Sequence, residues 1–325
     1  MTSENRITGQ YTVPPELSDK RLDQAAADLM PEHSRSRLQS WIKSGALTVN
    51  GQTRKPRDKV MMGDSLALDA EPEVQVTWEA EPISLDVVYE DEHLLVINKP
   101  AGLVVHPAAG HADGTLVNAL LNYAPEVENL PRAGIVHRLD KDTSGIMVVA
   151  RSLIAHTSLV GQLQTRTMGR EYEAVVVGAL TGGATVDAPI GRHPQDRKRM
   201  AVVSGGKPAV THYRLLERFS AHTLVRCKLE SGRTHQIRVH MAHVRHPLVG
   251  DPVYGGRLRL PKGTTEELRE VLAAFTRQAL HARQLTLEHP ETGNIMSWEV
   301  PLPDDLAHLI DALRKHAREL EDRDF

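Results

Sequence analysis

Between Gly134 and Ala150 the chain reads Gly-Ile-Val-His-Arg-Leu-Asp-Lys-Asp-Thr-Ser-Gly-Ile-Met-Val-Val-Ala, and no other stretch narrows its possible folds as much. Two β-branched residues, Ile135 and Val136, lead into a charged segment, after which Ile146 to Val149 run apolar without a break. The pattern predicts strand, polar loop and buried strand, with the charges at a strand end. Thr143, Ser144 and Gly145 read as the turn, because glycine accepts left-handed dihedrals and the two hydroxyls can satisfy local amides. Chemistry is often placed on such loops, so Asp140 is a candidate to face a cleft. Taken alone, the stretch fits a solvated turn equally well.

At 325 residues the chain exceeds one average domain, and two are expected. Residues 1–17 are polar and read as a flexible tail. Leu22, Ala25, Ala26 and Leu29 recur at helical spacing and Pro31 follows them; a second helix, which Ser34 can cap, carries Arg35, Arg37, Leu38, Trp41, Ile42 and Lys43 and stops at Gly45. Asn50-Gly51 between β-prone flanks predicts a hairpin over 46–55, and Val60 to Leu68 a further turn and strand. Residues 18–70 thus form a small basic domain, 71–84 an acidic linker and 85–325 a larger domain. In the latter, hairpins are expected around Glu90 to His93, Phe219 to His222 and His289 to Asn294. Helices are expected from Thr115, over Leu153 to Leu163, after a Thr234 cap, and from Asp304 through Leu313. Many hairpin-linked strands with scattered helices indicate an α+β fold on a mainly antiparallel, mixed sheet with flanking helices.

The net charge of −3 hides an uneven distribution. Nine acidic residues and no Lys or Arg lie between Ala67 and Asn98, so the rest of the chain is at +6. Basic residues cluster at Arg35/Arg37/Lys43, Arg54/Lys55/Arg57/Lys59, Arg132/Arg138/Lys141, Arg166/Arg170 and Arg192/Arg197/Lys198/Arg199, and such clusters on one face could neutralise phosphates. No apolar run is long enough for a membrane span, and no signal-peptide pattern opens the chain. The single cysteine, Cys227, allows no internal disulfide and suits a reducing cytoplasm. His235, His240, His243 and His246 match no metal-ligand spacing, so no metal is expected. Asp142 beside Asp140 would suit a two-carboxylate glycosidase, but that reading leaves the Arg and Tyr motifs below unexplained.

Arg170-Glu-Tyr172 opens a strand, so the Tyr172 ring is a candidate to stack on a base or to fill the sheet core. Gly232-Arg-Thr-His-Gln-Ile-Arg238 turns from a strand into a helix, where a guanidinium could hold a carboxylate ionised. His246-Pro-Leu-Val-Gly-Asp-Pro-Val-Tyr-Gly-Gly256 is a Gly/Pro-rich loop suited to a pocket wall.

Arg21-Leu-Asp23, Ser34-Arg-Ser-Arg37 and Val49-Asn-Gly51 resemble the S4 RNA-binding domain. Asn98-Lys-Pro-Ala-Gly-Leu-Val-Val-His-Pro107, His137 to Gly145, Arg170-Glu-Tyr172 and Gly232 to Arg238 resemble, in order, the motifs of the RluA-type pseudouridine synthase family. The resemblance implies isomerisation of uridine to pseudouridine in 23S ribosomal RNA, free or in a pre-50S particle, by a cytoplasmic monomer with no cofactor, metal or membrane. It implies Asp140 as nucleophile, Arg238 as its ion-pair partner and Tyr172 against the uracil. Whether Asp140 attacks C1′, adds to C6 or takes a sugar proton is left open. Arg138, two residues before Asp140 in an extended segment, would point the same way and is expected to fill the gap of a flipped-out base. Arg35, Arg37, Lys43, Arg54, Lys55, His137 and Arg233 are the further RNA-binding candidates. The rival reading is a non-catalytic RNA-binding or ribosome-assembly protein with the same fold.

Overall fold

The structure, a computed structural model, describes residues 6–33, 35–70, 78–107, 113–258, 260–261 and 263–322. Ser34, expected to cap the second helix, and residues 71–77 of the expected linker lie outside them. The chain divides after Thr77 into two compact units, and each is described by itself.

In the first unit, β1 (Ile7–Thr12), α1 (Leu22–Leu29), α2 (Arg35–Ser44), β2 (Leu47–Val49) and β3 (Ser65–Ala70) enclose a core of Leu22, Met30, Leu38, Ile42 and Leu66. Two expectations are corrected. Ile7 to Thr12, expected as tail, forms a strand paired antiparallel with β3 from Ile7↔Ala70 to Thr12↔Ser65, and its residues alternate between half-buried and exposed. The Asn50-Gly51 turn exists, with both residues at positive φ, but it closes a single bridge, Val49↔Gln52. β2 pairs instead with β3, because β3 carries the alternating apolar residues Leu66 and Leu68 that the core needs.

The second unit takes in Trp78, which packs on its core, and Glu79, whose carbonyl accepts from Asn118 Nδ2. Residues 78–84 therefore belong to this unit rather than to a linker. It contains β4 (Val87–Glu90), β5 (Leu94–Lys99), α3 (Leu116–Tyr123), β6 (Ser144–Ala150), α4 (Leu153–Gln164), β7 (Gly169–Val177), β8 (Ala184–Asp187), β9 (Ile190–Arg192), β10 (Met200–Val202), β11 (Val210–Arg218), β12 (His222–Leu229), α5 (Gln236–His243), α6 (Glu266–Ala274), β13 (Leu280–Glu288), β14 (Ile295–Glu299) and α7 (Asp304–Glu321). One sheet runs β4-β5-β6-β13-β7-β12-β11-β8, with β14 also on β13, and β9 and β10 form a separate ribbon. Only β6 and β13 pair in parallel; every other ladder in the sheet is antiparallel, so the sheet is mixed.

Alternation along β7 explains how both faces are covered. Tyr172, Ala174 and Val176 join a core with Leu116 and Leu120 of α3 and Leu159 of α4. Val175 points the other way, into a core with Leu268 of α6 and Leu309 of α7. The terminal helix runs to Glu321 rather than ending near Leu313, because Leu306, Leu309, Ile310, Leu313 and His316 continue one buried stripe.

β6 is buried at all seven positions. Ile135 and Val136 do not form the strand expected before it, and Ile135 makes only a bridge to Val149. Gly145 is part of β6 and not of a turn. Its φ is +119°, and a Cβ there would lie 2.2 Å from the Ala282 carbonyl oxygen on β13. We expect Gly145→Ala to destabilise the protein by about 2 kcal/mol or more, from overpacking combined with backbone strain. Urea unfolding should show it, and an unchanged midpoint would contradict this account of the close strand approach.

Candidate active site

The loop that carries Asp140 is fastened from three sides. Thr143 N donates to the Asp140 carbonyl at 3.1 Å and Gly102 N to the Lys141 carbonyl at 2.9 Å. Lys99, 1% exposed, donates its ammonium to the carbonyls of Pro100, Leu103 and Lys141 at 2.7, 2.9 and 3.0 Å. Three protons thus meet three acceptors, while burial, opposed by Asp142 and Asp140, pulls the pKa down to about 7. The neighbouring hydroxyls do not serve local amides as expected. Thr143 Oγ1 accepts from Gln278 Nε2 at 3.0 Å, and Ser144 Oγ bonds His281 Nδ1 at 2.9 Å. Both partners come from the β13 region, so the loop is tied to the sheet.

Arg238 comes from α5. The residue before this helix is His235, at φ 56°, with no side-chain cap. The expected Thr234 cap is absent; instead Gln236 Oε1 accepts from Arg233 N at 3.0 Å and from Ser231 Oγ at 2.8 Å. One helical turn inside, Arg238 is shared by two carboxylates. Its Nε and Nη2 donate to Asp251 Oδ2 and Oδ1 at 2.7 and 3.0 Å, and its Nη1 donates to Asp140 Oδ2 at 3.0 Å. Burial alone would loosen the arginine's proton, but the hydrogen bonds and charges of Asp251 and Asp140 outweigh it and raise the pKa further. Asp251 has no exposed side-chain surface and also accepts from Val253 N and Tyr254 N at 2.9 and 3.0 Å. Burial would raise its pKa; Arg238 and these amides hold it lower. The segment is stitched into the sheet by Val249 N to Val175 O and Ala279 N to Val249 O, both 2.9 Å. Gly250, at φ +72°, passes so close to the Arg277 carbonyl that a Cβ would lie 2.3 Å from it.

This leaves Asp140 with one oxygen held and one available. Oδ2 is on Arg238; Oδ1 lies 3.9 Å from His235 Nε2, a ring whose pKa burial lowers. His235 Nδ1 is 2.8 Å from the Tyr254 hydroxyl, which accepts from Met200 N at 3.0 Å. The Tyr254 ring in turn lies 5.1 Å from the Arg238 guanidinium carbon, within cation–π range. The Asp140 side chain is 18% exposed and opens on a cavity of about 580 Å³ that Tyr172, Arg138, His137, Arg170 and Arg233 also line. That is large enough for a nucleotide. Tyr172 is the fourth residue of β7, inside the strand rather than at its start, and 6% exposed. Burial raises its pKa, so it presents a neutral ring.

The structure therefore brings Asp140, Tyr172, Arg238, Arg138, His137 and Arg233 to one cavity. Arg138 is exposed, while Arg233 Nε is engaged by the Pro208 carbonyl at 3.0 Å. His137 Nε2 accepts from Val148 N at 3.1 Å. The other five candidates belong to the first unit. Arg35 Nη2 is 2.9 Å from Asp23 Oδ2, a carboxylate with no exposed side-chain surface, so Arg35 has a structural duty. Arg37 lies 5.9 Å from the Trp41 ring centroid, Lys43 and Lys55 are exposed, and Arg54 is half-buried. Two residues of the site were missed as such. Lys99 stood in the Asn98-Lys-Pro run and Asp251 in the Gly/Pro-rich loop, but nothing in sequence spacing connects Asp251 with Arg238.

Residues 93–243 match the family model for RNA pseudouridylate synthase, and residues 20–66 that of the S4 domain. The chain is 63% identical over 303 residues to ribosomal large subunit pseudouridine synthase D of Pseudomonas aeruginosa, covering 93% of this chain and 95% of that one. It is 54% identical over 318 residues to the Escherichia coli (strain K12) protein of the same name, covering 98% of each. Among solved structures, human RNA pseudouridylate synthase domain containing 4 matches with a TM-score of 0.56 at 27% identity, covering 70% of this chain and 93% of that one. A carboxylate and arginine paired in a nucleotide-sized cavity, in a chain more than half identical to such relatives over nearly its whole length, leave one assignment: this chain belongs to the RNA pseudouridylate synthase family.

Proposed function

We propose that the chain isomerises specific uridines of 23S (large-subunit) ribosomal RNA to pseudouridine, with Asp140 as the nucleophile on a flipped-out uridine. The observation that carries this reading is the single-point contact between Arg238 and Asp140. A guanidinium anchored elsewhere by two bonds aims the carboxylate, yet leaves Oδ1 free to form a bond. Tyr172, neutral and lining the same cavity, offers a face on which a uracil can stack. Arg138 is exposed at the cavity, which supports its assignment to the space a flipped base leaves in the RNA. The names of the relatives support large-subunit ribosomal RNA as the substrate. Arg37, Lys43, Arg54 and Lys55 of the S4-like unit supply positive charge for the RNA backbone and its shape, and one copy suffices, since every group in this scheme comes from one chain.

The rival reading, a binding protein that keeps the fold, has no use for a carboxylate aimed into a cavity with one oxygen unengaged. Pseudouridine mapping of ribosomal RNA from cells with and without the gene separates the two. We expect defined large-subunit sites to lose modification in its absence and to regain it when free RNA or pre-50S particles are treated with the purified protein. An unchanged modification map would refute the reading.

A further inference from the structure

Arg170 is 7% exposed and lines the Asp140 cavity, yet among the described residues its guanidinium has no hydrogen bond or ion pair. Its Nε is buried without a partner. The Nε atoms of Arg226, Arg283 and Arg199 are also buried without a partner. Arg226 and Arg283, however, are answered at their other nitrogens by Glu173 and Glu299, Arg238 is answered by Asp251 and Asp140 and Arg277 by Asp305, and Arg199 lies over the Tyr254 ring. An uncompensated buried charge is expensive. A second unsatisfied donor belongs to the same cavity. His137 Nε2 accepts from Val148 N, so the ring hydrogen is on Nδ1, which is also buried without a partner. Burial, with the charge of Arg170 adding to it, pushes the His137 pKa down to about 3, which keeps the ring neutral.

Position also singles out Arg170. It stands two residues before Tyr172 on β7 and therefore on the same face of the sheet. Gly232 leaves room for it: a Cβ at that position would lie 2.7 Å from Arg170 Nη1. Arg132, Arg138 and Arg166 are exposed at the cavity, Arg166 paired with Glu230 at 2.8 Å, whereas Arg170 is buried beside the ring expected to hold the base.

We propose that Arg170, with the Nδ1–H of His137, is a catalytic residue that receives the negative charge developing on the carbonyl oxygens of the uracil. The inference rests on the reaction proposed above, but not on which atom Asp140 attacks. Attack at C1′ breaks N1–C1′ and leaves the electron pair on uracil, spread over O2 and O4. Removal of a sugar proton expels the same anion. Addition to C6 sends the C5=C6 pair to O4 as an enolate. In the first route C5 bonds C1′ as the Asp140–C1′ bond breaks; in the second C5 bonds C1′ as the abstracted proton returns to the sugar. In the third N1–C1′ breaks, C5 bonds C1′, and the carboxylate leaves C6 as the C5 proton is lost. In each the proton lost from C5 is balanced by the one gained at N1. Donors left unsatisfied in the resting protein and matched only when that charge appears favour the transition state over the bound uridine.

The test compares wild type, Arg170→Gln and Arg170→Lys on a ribosomal RNA fragment that wild type modifies. The Gln variant should lose about 10²–10³-fold in single-turnover rate at saturating RNA while its Kd for that RNA stays close to wild type. The Lys variant, which keeps the charge, should fall between them. Without RNA the Gln variant should melt at or above the wild-type temperature, because an unpaired buried charge is gone; a structural arginine would give the reverse. Wild-type turnover by the Gln variant would overturn the inference. So would a deficit that disappears at saturating RNA, which would assign Arg170 to a phosphate. Failure of wild type itself to form pseudouridine would instead refute the reaction, and this inference with it.

Discussion

Asp140→Asn is expected to abolish pseudouridine formation, with a rate loss on the scale of 10⁶-fold that follows from removing the proposed nucleophile, while RNA affinity stays near that of wild type. The amide keeps the shape of the carboxylate and can still accept from Arg238 Nη1, the one hydrogen bond the Asp140 side chain makes among the described residues. Its own loop is held by Lys99 and Gly102 through backbone carbonyls, so the fold does not depend on the charge. What the amide lacks is a nucleophilic oxygen. Single-turnover assays on in vitro transcribed 23S RNA, alongside filter binding, measure both quantities. Substantial turnover by the variant would remove Asp140 from the reaction.

The second large effect is expected at Asp251. Asp251→Ala deletes two of the three acceptors that hold a 5%-exposed guanidinium, and removing one partner of a buried pair costs about 3–5 kcal/mol. The amides of Val253 and Tyr254 lose their acceptor as well. Arg238 would then be free to turn both ends onto Asp140, and misplacement of that order costs about 10²-fold in rate. Denaturant unfolding of the larger unit and single-turnover kinetics should register both losses. Wild-type values in either would show that Asp140 and its neighbours fix Arg238 unaided. The pH dependence has a defined sign. Because the folded pKa of Asp251 is depressed, its contribution is complete above the ordinary carboxylate pKa of about 4. It disappears as pH falls through the folded value.

Local pattern made β6, β7 and β13 readable in sequence, since each is a β-prone run with clear flanks. Ile7 to Thr12 carried a period-2 signal in Ile7, Gly9 and Tyr11, but it was too short and polar to stand out until β3 gave it a partner. Ile135 and Val136 had strand propensity and no ladder to join beyond one bridge. Thr143 and Ser144 looked like turn residues because their true partners, Gln278 and His281, are more than 130 positions away. The same limit applies at the site. Asp140, Tyr172 and Arg238 stand in distinctive motifs, whereas the link from Asp251 to Arg238 depends on Gly250 and Val249 bringing a distant loop against β7, which one-dimensional spacing does not express.

The fastening of the Asp140 loop has a consequence for the speed of the reaction. Tied to Lys99 on β5 and, through Thr143 and Ser144, to Gln278 and His281, Asp140, the proposed nucleophile, has little conformational freedom left to lose when a uridine arrives. The entropy of arranging it is surrendered once, during folding, and not again in each turnover. In the proposed reaction the slow, variable part of the cycle then falls to the RNA, whose base would unstack to meet a carboxylate already in place.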